Sequence, residues 1–211
     1  MYTYFPSCNL TKASRESSLK MRRYLKERMP VEGCCLYYQK KFPTDGTGLI
    51  VCQACREHLC EKIPANQLIS LWEYLDILPD FPWPDYHGVA MTLQDCWRDR
   101  HQPKVHEAVR HLLERMHIQI VEIAQNRDKA DFCGTLHVEI QNPKNLELLA
   151  RYEGTKLSHM PEEVQRALMA EQVAKYPTEQ VVCYCNRCVK GVELGGGKAI
   201  HLMDLVAKEL S

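Results

Sequence analysis

The 211-residue chain has no imbalance of charge: 27 lysines and arginines stand against 27 aspartates and glutamates, for a formal net charge of zero. A balanced surface offers no broad electrostatic hold on nucleic acid or on an anionic membrane, so neither is an expected partner. Nowhere do 18 uncharged apolar residues run together, and no transmembrane segment is predicted. Met1–Pro6 has no basic stretch leading into an apolar one, so a secretory signal is absent there and a cytoplasmic location is expected. The chain also lacks the glycine fingerprint that cradles flavin or nicotinamide dinucleotides, and Gly195-Gly196-Gly197-Lys198 lacks the P-loop order and reads as a turn.

What it has in abundance is cysteine, eleven residues in two groups of similar order. The first is Cys8, the adjacent pair Cys34-Cys35, then Cys52 and Cys55. The second is Cys96, Cys133, then Cys185 and Cys188, with Cys183 just ahead. Eleven is odd and cannot pair completely, and disulfide frameworks are rare in the reducing cytosol. Adjacent cysteines suit two separate disulfides badly, yet they place two thiolates within reach of one multi-iron cluster. The repeated order points to metal ligation.

Hydrophobic patterning places these groups on a fold. Tyr2–Phe5 is a short strand ending at Pro6, and a helix is expected from about Ser14 to Arg28, stopped by Pro30. Leu49-Ile50-Val51 is a buried strand delivering Cys52 and Cys55 to a helix start, where backbone N–H groups favour thiolate. Pro79, Pro82 and Pro84 break regular structure. The order then restarts with a strand at Val89–Leu93, a helix at His106–Met116, a strand at Ile118–Ile123, a helix at Pro161–Lys175 and a strand at Gln180–Cys183. The reading is α/β: two pseudo-symmetric small parallel-sheet halves with cysteine clusters on loops at the strand C-termini. The expected divisions are 1–78, a proline-rich linker 79–88, and 89–211.

Cys8, Cys34-Cys35 and Cys52-Gln53-Ala54-Cys55, echoed by Cys96, Cys133-Gly134 and Cys185-Asn186-Arg187-Cys188, resemble the duplicated cysteine-rich (CCG) domain. That domain is found in the B subunit of heterodisulfide reductase and in subunits of glycolate, lactate and anaerobic glycerol-3-phosphate oxidation systems. The resemblance implies a noncubane [4Fe-4S] iron–sulfur cluster on Cys8, Cys34, Cys35, Cys52 and Cys55. Disulfide chemistry, if any, would occur at the cluster bound by Cys34 and Cys35. It further implies an oxidoreductase or an electron-transfer subunit, partnered in a hetero-oligomer by a flavoprotein or ferredoxin-like subunit. Phe132 stands where the family pattern has the first of two adjacent cysteines. The four thiolates Cys96, Cys133, Cys185 and Cys188 suit a cubane [4Fe-4S] cluster or a tetrahedral zinc. Cys183 is the candidate fifth ligand, its alternative being a buried thiol that packs as a small hydrophobe. The competing functions are a non-catalytic zinc or iron–sulfur module of a larger complex, and a thiol sensor in which Cys34-Cys35 oxidises reversibly.

Other residues have plainer readings. His101, His106, His111 and His117 are expected on solvated surface, since the five-residue interval from 106 to 111 puts the rings on different helix faces. His137, near Cys133, could bond a cluster sulfur or serve as a zinc ligand. Trp97-Arg98-Asp99-Arg100 could balance thiolate charge, and Tyr37-Tyr38 could shield the first centre from water. Cys60 reads as a helix-face thiol.

Overall fold

Apolar runs of three to five residues, several followed by a serine or cysteine that caps a helix, recur along the chain and generate strand–helix alternation. The structure, a computed structural model, describes residues 1–211. In chain order it contains β1 (Tyr2–Phe5), α1 (Cys8–Ala13), α2 (Arg15–Lys26), β2 (Thr47–Ile50), α3 (Gln53–Cys60), β3 (Leu68–Ser70) and α4 (Leu71–Asp76). There follow β4 (Ala90–Gln94), α5 (Pro103–Arg115), β5 (Gln119–Glu122), α6 (Pro143–Ala150), α7 (Glu162–Val173), β6 (Gln180–Cys183), α8 (Asn186–Leu194), β7 (Lys198–His201) and α9 (Leu202–Val206). The fold is α/β with two parallel-sheet units, as the patterning predicts.

One unit comprises Met1–Tyr86, Lys104–His117 and Met203–Ser211. Its sheet runs β1-β2-β3, all parallel, with Tyr4 opposite Leu49 and Leu49 opposite Ile69. Tyr4, Phe5 and Leu49 are fully buried, the continuous apolar run expected of a strand covered on both faces. Pro6 cannot extend the β1 ladder, and Ser7 caps α1 by accepting the Leu10 N–H at 3.2 Å. Ser70 and Glu73 form a reciprocal capping box that turns β3 directly into α4. The sequence reading has no helix before Ser14, whereas α1 occupies Cys8–Ala13. Ser7 is the signal for it, a cap immediately after a proline.

The other unit comprises His87–Pro103 and Ile118–Leu202, and its sheet runs β5-β4-β6-β7, again all parallel. β4 pairs β6 as β1 pairs β2, and β7 flanks β6 as β3 flanks β2. β5, which pairs four residues with β4, is matched in the first unit only by a single parallel bridge between Tyr4 and Val31. The two units thus share a strand order, and the first has one sheet edge cut short. α6 escapes the sequence reading, although Asn142 caps it and Pro143 opens it.

Candidate metal centres

In the first unit the five cysteines of the first group come together at the carboxyl ends of β1 and β2. Cys8 opens α1 after Ser7, Cys52 caps α3, and Cys55 lies in its first turn. That spacing puts the last two on one helix end, with sulfurs 3.4 Å apart. Cys34-Cys35 lies on a 3₁₀ turn, Cys35–Tyr37, held by Tyr38, whose ring packs edge-on against Phe5 at 5.0 Å. The turn brings the Cys35 sulfur to 3.3 Å from that of Cys55. Cys8 and Cys34 contact each other as a thiol pair, and the Ser7 hydroxyl donates to the Cys52 sulfur at 3.3 Å.

This centre is open on one side. Cys35 and Cys55 are buried against Phe5, Ile50 and Leu59, Cys34 and Cys52 are half-buried, and Cys8 is exposed. A cavity of about 340 Å³ lies beside Cys34, lined also by Tyr37, Gln39 and the ion pair Lys40–Glu32, whose atoms are 2.8 Å apart. Tyr38 is buried but Tyr37 is 77% exposed, so only one of the two tyrosines shields the centre. Burial and then the neighbouring Cys34 push the Cys8 thiol up. Cys55 is pushed far up by its contact with Cys52 and then by burial. Crowded thiols that resist ionising together are what a cationic metal relieves.

In the second unit Cys96, Cys133, Cys185 and Cys188 converge, all four sulfurs lying within 4.8 Å of one another, and could hold a metal ion. Cys96 follows β4, Cys185 caps α8 after β6, and Cys188 stands in the first turn of α8. Cys133 arrives from the loop after β5, and its sulfur is 3.5 Å from Cys96 and 4.0 Å from Cys185. Gly134 makes that approach possible. Its φ of 55° is left-handed, and a Cβ there would lie 2.2 Å from the Arg187 carbonyl oxygen on α8. Gly191 reciprocates, since its Cβ would fall 2.5 Å from the Gly134 Cα and 2.6 Å from the Phe132 ring.

The surroundings close this second centre. Cys96, Cys133 and Cys188 are buried and Cys185 half-buried. The Trp97 ring stacks on His137 at 4.2 Å, and the Arg100 guanidinium lies over Trp97 at 4.4 Å. Behind Cys96, its N–H donates to the buried Tyr184 hydroxyl at 3.1 Å. That hydroxyl donates to Asp95, which also accepts the Arg127 N–H at 2.8 Å. Cys185 is held well below the usual thiol range by the thiols of Cys133, Cys188 and Cys96 and by the Cys188 N–H, against the effect of its burial.

Cys183 ends β6 fully buried and lies outside the four converging sulfurs, next to Tyr176. His106 departs from the surface expectation: it is 2% exposed on the inward face of α5 with Val109. His111 instead bonds Asp76 at 2.9 Å, and His117 pairs with Asp85 at 3.1 Å. Cys60 is exposed at the end of α3. Tyr184 and Ser7 are partners that sequence reasoning missed. Tyr184 sits between two cysteines in an apolar run and looks like core, and Ser7 directly precedes a candidate ligand. No helix is long and apolar enough to cross a membrane. Comparison of the chain with protein-family models, with curated proteins and with solved structures found no match.

Proposed function

We propose that this chain is a metal–thiolate redox protein of heterodisulfide-reductase-B type, a member of the duplicated cysteine-rich domain family. Cys8, Cys34, Cys35, Cys52 and Cys55 hold an iron–sulfur cluster there. Cys96, Cys133, Cys185 and Cys188 hold a tetrahedral zinc. The observation that carries the reading is the contrast between two thiol sets at equivalent strand ends, one open beside a cavity and one closed.

Zinc at the closed set is supported by size. A tetrahedral ion with bonds of about 2.3 Å to sulfur spaces its ligands about 3.8 Å apart. The sulfurs here stand 3.5 and 4.0 Å apart along the Cys96–Cys133–Cys185 path. Four protein ligands with no open position are the pattern of structural zinc.

The open set has a different chemistry. An iron–sulfur cluster there supplies one-electron transfer, and the exposed Cys8 and half-buried Cys34 leave it reachable by a disulfide or by a partner subunit. The chain carries no nucleotide-cofactor fingerprint, so its electrons pass to or from a flavoprotein or ferredoxin-like partner in the cytoplasm. The alternative, a non-catalytic metal module, draws its support from the closed set alone.

Iron, acid-labile sulfide and zinc per chain, measured on protein purified without oxygen, test this reading. Expected are one zinc that survives Cys34→Ser and is lost in Cys133→Ser, and iron with sulfide that behaves in the opposite way. Zinc without iron would leave only the structural module, and absence of both would sink the proposal.

A further inference from the structure

The cut-short sheet edge of the first unit leaves a groove. Where β5 lines the edge of β4, only Val31 lies beside β1, joined through the Tyr4 N–H to the Pro30 carbonyl and the Glu32 N–H to the Tyr4 carbonyl, both 2.9 Å. Between this segment and α2 opens a groove of about 730 Å³, lined by Leu19, Arg22, Arg23, Lys26, Met29 and Val31 among others. No acidic side chain lines it. The nearby glutamates are engaged elsewhere, Glu16 with Lys20, Glu27 with Arg28 and Glu32 with Lys40. The Arg23 Nε donates to the Ser211 carbonyl at 3.2 Å, while Arg22 and Lys26 are exposed.

We infer that this groove docks an acidic, amphipathic segment of a partner protein. Three cations on one helix face favour carboxylates. Leu19, 37% exposed, with Met29 and Val31 offers an apolar floor that a sugar–phosphate backbone would not use. The zero net charge of the chain adds no wider field to draw nucleic acid, so the attraction is confined to this patch.

The groove also adjoins the first metal centre. Val31 is three residues from Cys34, a stretch that spans at most about 11 Å when fully extended. Its neighbour Tyr4 lies in β1, four residues before Cys8, and its fully buried ring lies close to both Arg22 and the Cys52 and Cys55 thiols. An acidic protein seated there is placed to exchange electrons with the centre; this assignment of its role rests on the redox reading above, whereas the docking itself does not.

The test is fluorescence anisotropy of a labelled peptide of about twelve Glu, Leu and Ala residues, titrated with the full chain at several salt concentrations. A peptide with Gln for every Glu, a single-stranded oligonucleotide and inorganic phosphate serve as competing probes. Expected is binding of the Glu peptide about tenfold tighter than of the Gln peptide, weakening as salt rises and falling at least tenfold in Arg22→Glu/Lys26→Glu. Arg22→Gln/Lys26→Gln gives a smaller loss in the same direction, and Lys190→Glu, an exposed change on α8, gives none. Equal binding of the Gln peptide, or oligonucleotide or phosphate displacing the Glu peptide at equal concentration, overturns the inference. Metal and sulfide are assayed on the same samples. Full iron without peptide binding refutes the groove alone, and peptide binding without iron refutes only the redox role.

Discussion

Gly134→Ala probes the second centre through one methyl group. A residue with a Cβ at a left-handed φ costs about 1–2 kcal/mol relative to glycine. The added Cβ would also stand 2.2 Å from the Arg187 carbonyl oxygen, a backbone atom that cannot rotate away. Restoring ordinary contact requires the Cys133 loop and the start of α8 to part by about 1 Å, and overpacking of this kind adds about 1–3 kcal/mol. The total of about 3 kcal/mol corresponds to a fall of about 10 °C in Tm for a chain of this size. Metal binding feels the change more directly. Zinc tolerates only about 0.2 Å of error in its bonds, and Cys133 would be withdrawn from Cys96 and Cys185 by several times that, so affinity should fall at least tenfold. Gly154→Ala is the control, having φ of 77° with nothing within 4 Å of its Cβ. It should show the conformational cost alone, about 1–2 kcal/mol, with zinc affinity unchanged. Competition with a chromophoric chelator, alongside thermal melts, measures both. If Gly134→Ala binds added zinc as tightly as Gly154→Ala does, the close packing of the Cys133 loop on α8 does not position Cys133.

Three further outcomes follow from the geometry. Cys183→Ala should leave metal content unchanged while lowering stability by about 1 kcal/mol, because it removes a packed sulfur from a dry position; loss of metal would make it a ligand. In protein stripped of metal, brief alkylation followed by peptide mapping should label Cys8 and Cys34 before the buried Cys35 and Cys55; equal labelling would refute an open first centre. The His111 pKa is raised, first by its hydrogen bond to Asp76, so that contact contributes fully below the unfolded value of about 6.5 and is lost as pH rises through the raised folded value. The stability difference between the parent and His111→Gln should therefore be largest at about pH 5.5 and shrink towards pH 8.5 in denaturant titrations, and a difference growing with pH would contradict the assignment.

Legibility in the sequence followed the range over which each feature is encoded. β6 occupies Gln180–Cys183 as the apolar run indicates, because a strand buried on both faces announces itself locally. The pairs Cys52/Cys55 and Cys185/Cys188 were legible for the same reason, since three-residue spacing at a helix start fixes both positions. What joins Cys96 and Cys133 to the latter pair is non-local. It depends on β4 lying beside β6 and on a glycine–glycine contact between Gly134 and Gly191, and spacing carries neither. The burial of His106 was hidden likewise, because its charge capacity suggests surface while its helical phase, three residues before Val109, places it inward. Shortness hid α1, whose six residues carry no amphipathic period long enough to read.

The two centres diverge from one plan through identifiable substitutions. Each has a strand-end cysteine, a cysteine from the loop beyond, and a pair at the start of a helix that leads into the next strand. At the loop position the first unit presents Cys34 and Cys35, one half-buried and one buried, on a 3₁₀ turn. The second presents Phe132 and Cys133, and Phe132 is wholly buried, its ring against Gly191 on α8. The second set thus has one thiol fewer at this position, and a buried ring packs there instead. Gly134 and Gly191 then let the loop descend onto the helix until four sulfurs lie within 4.8 Å, while Trp97 and His137 stack beside them. In the first unit Cys34 stands where the second has Phe132, Cys8 stays exposed, and a cavity lies beside Cys34. The two sets therefore differ in access as well as in number: the half with the incomplete sheet edge leaves Cys8 exposed and Cys34 half-buried, and the other brings four sulfurs together with three of them fully buried.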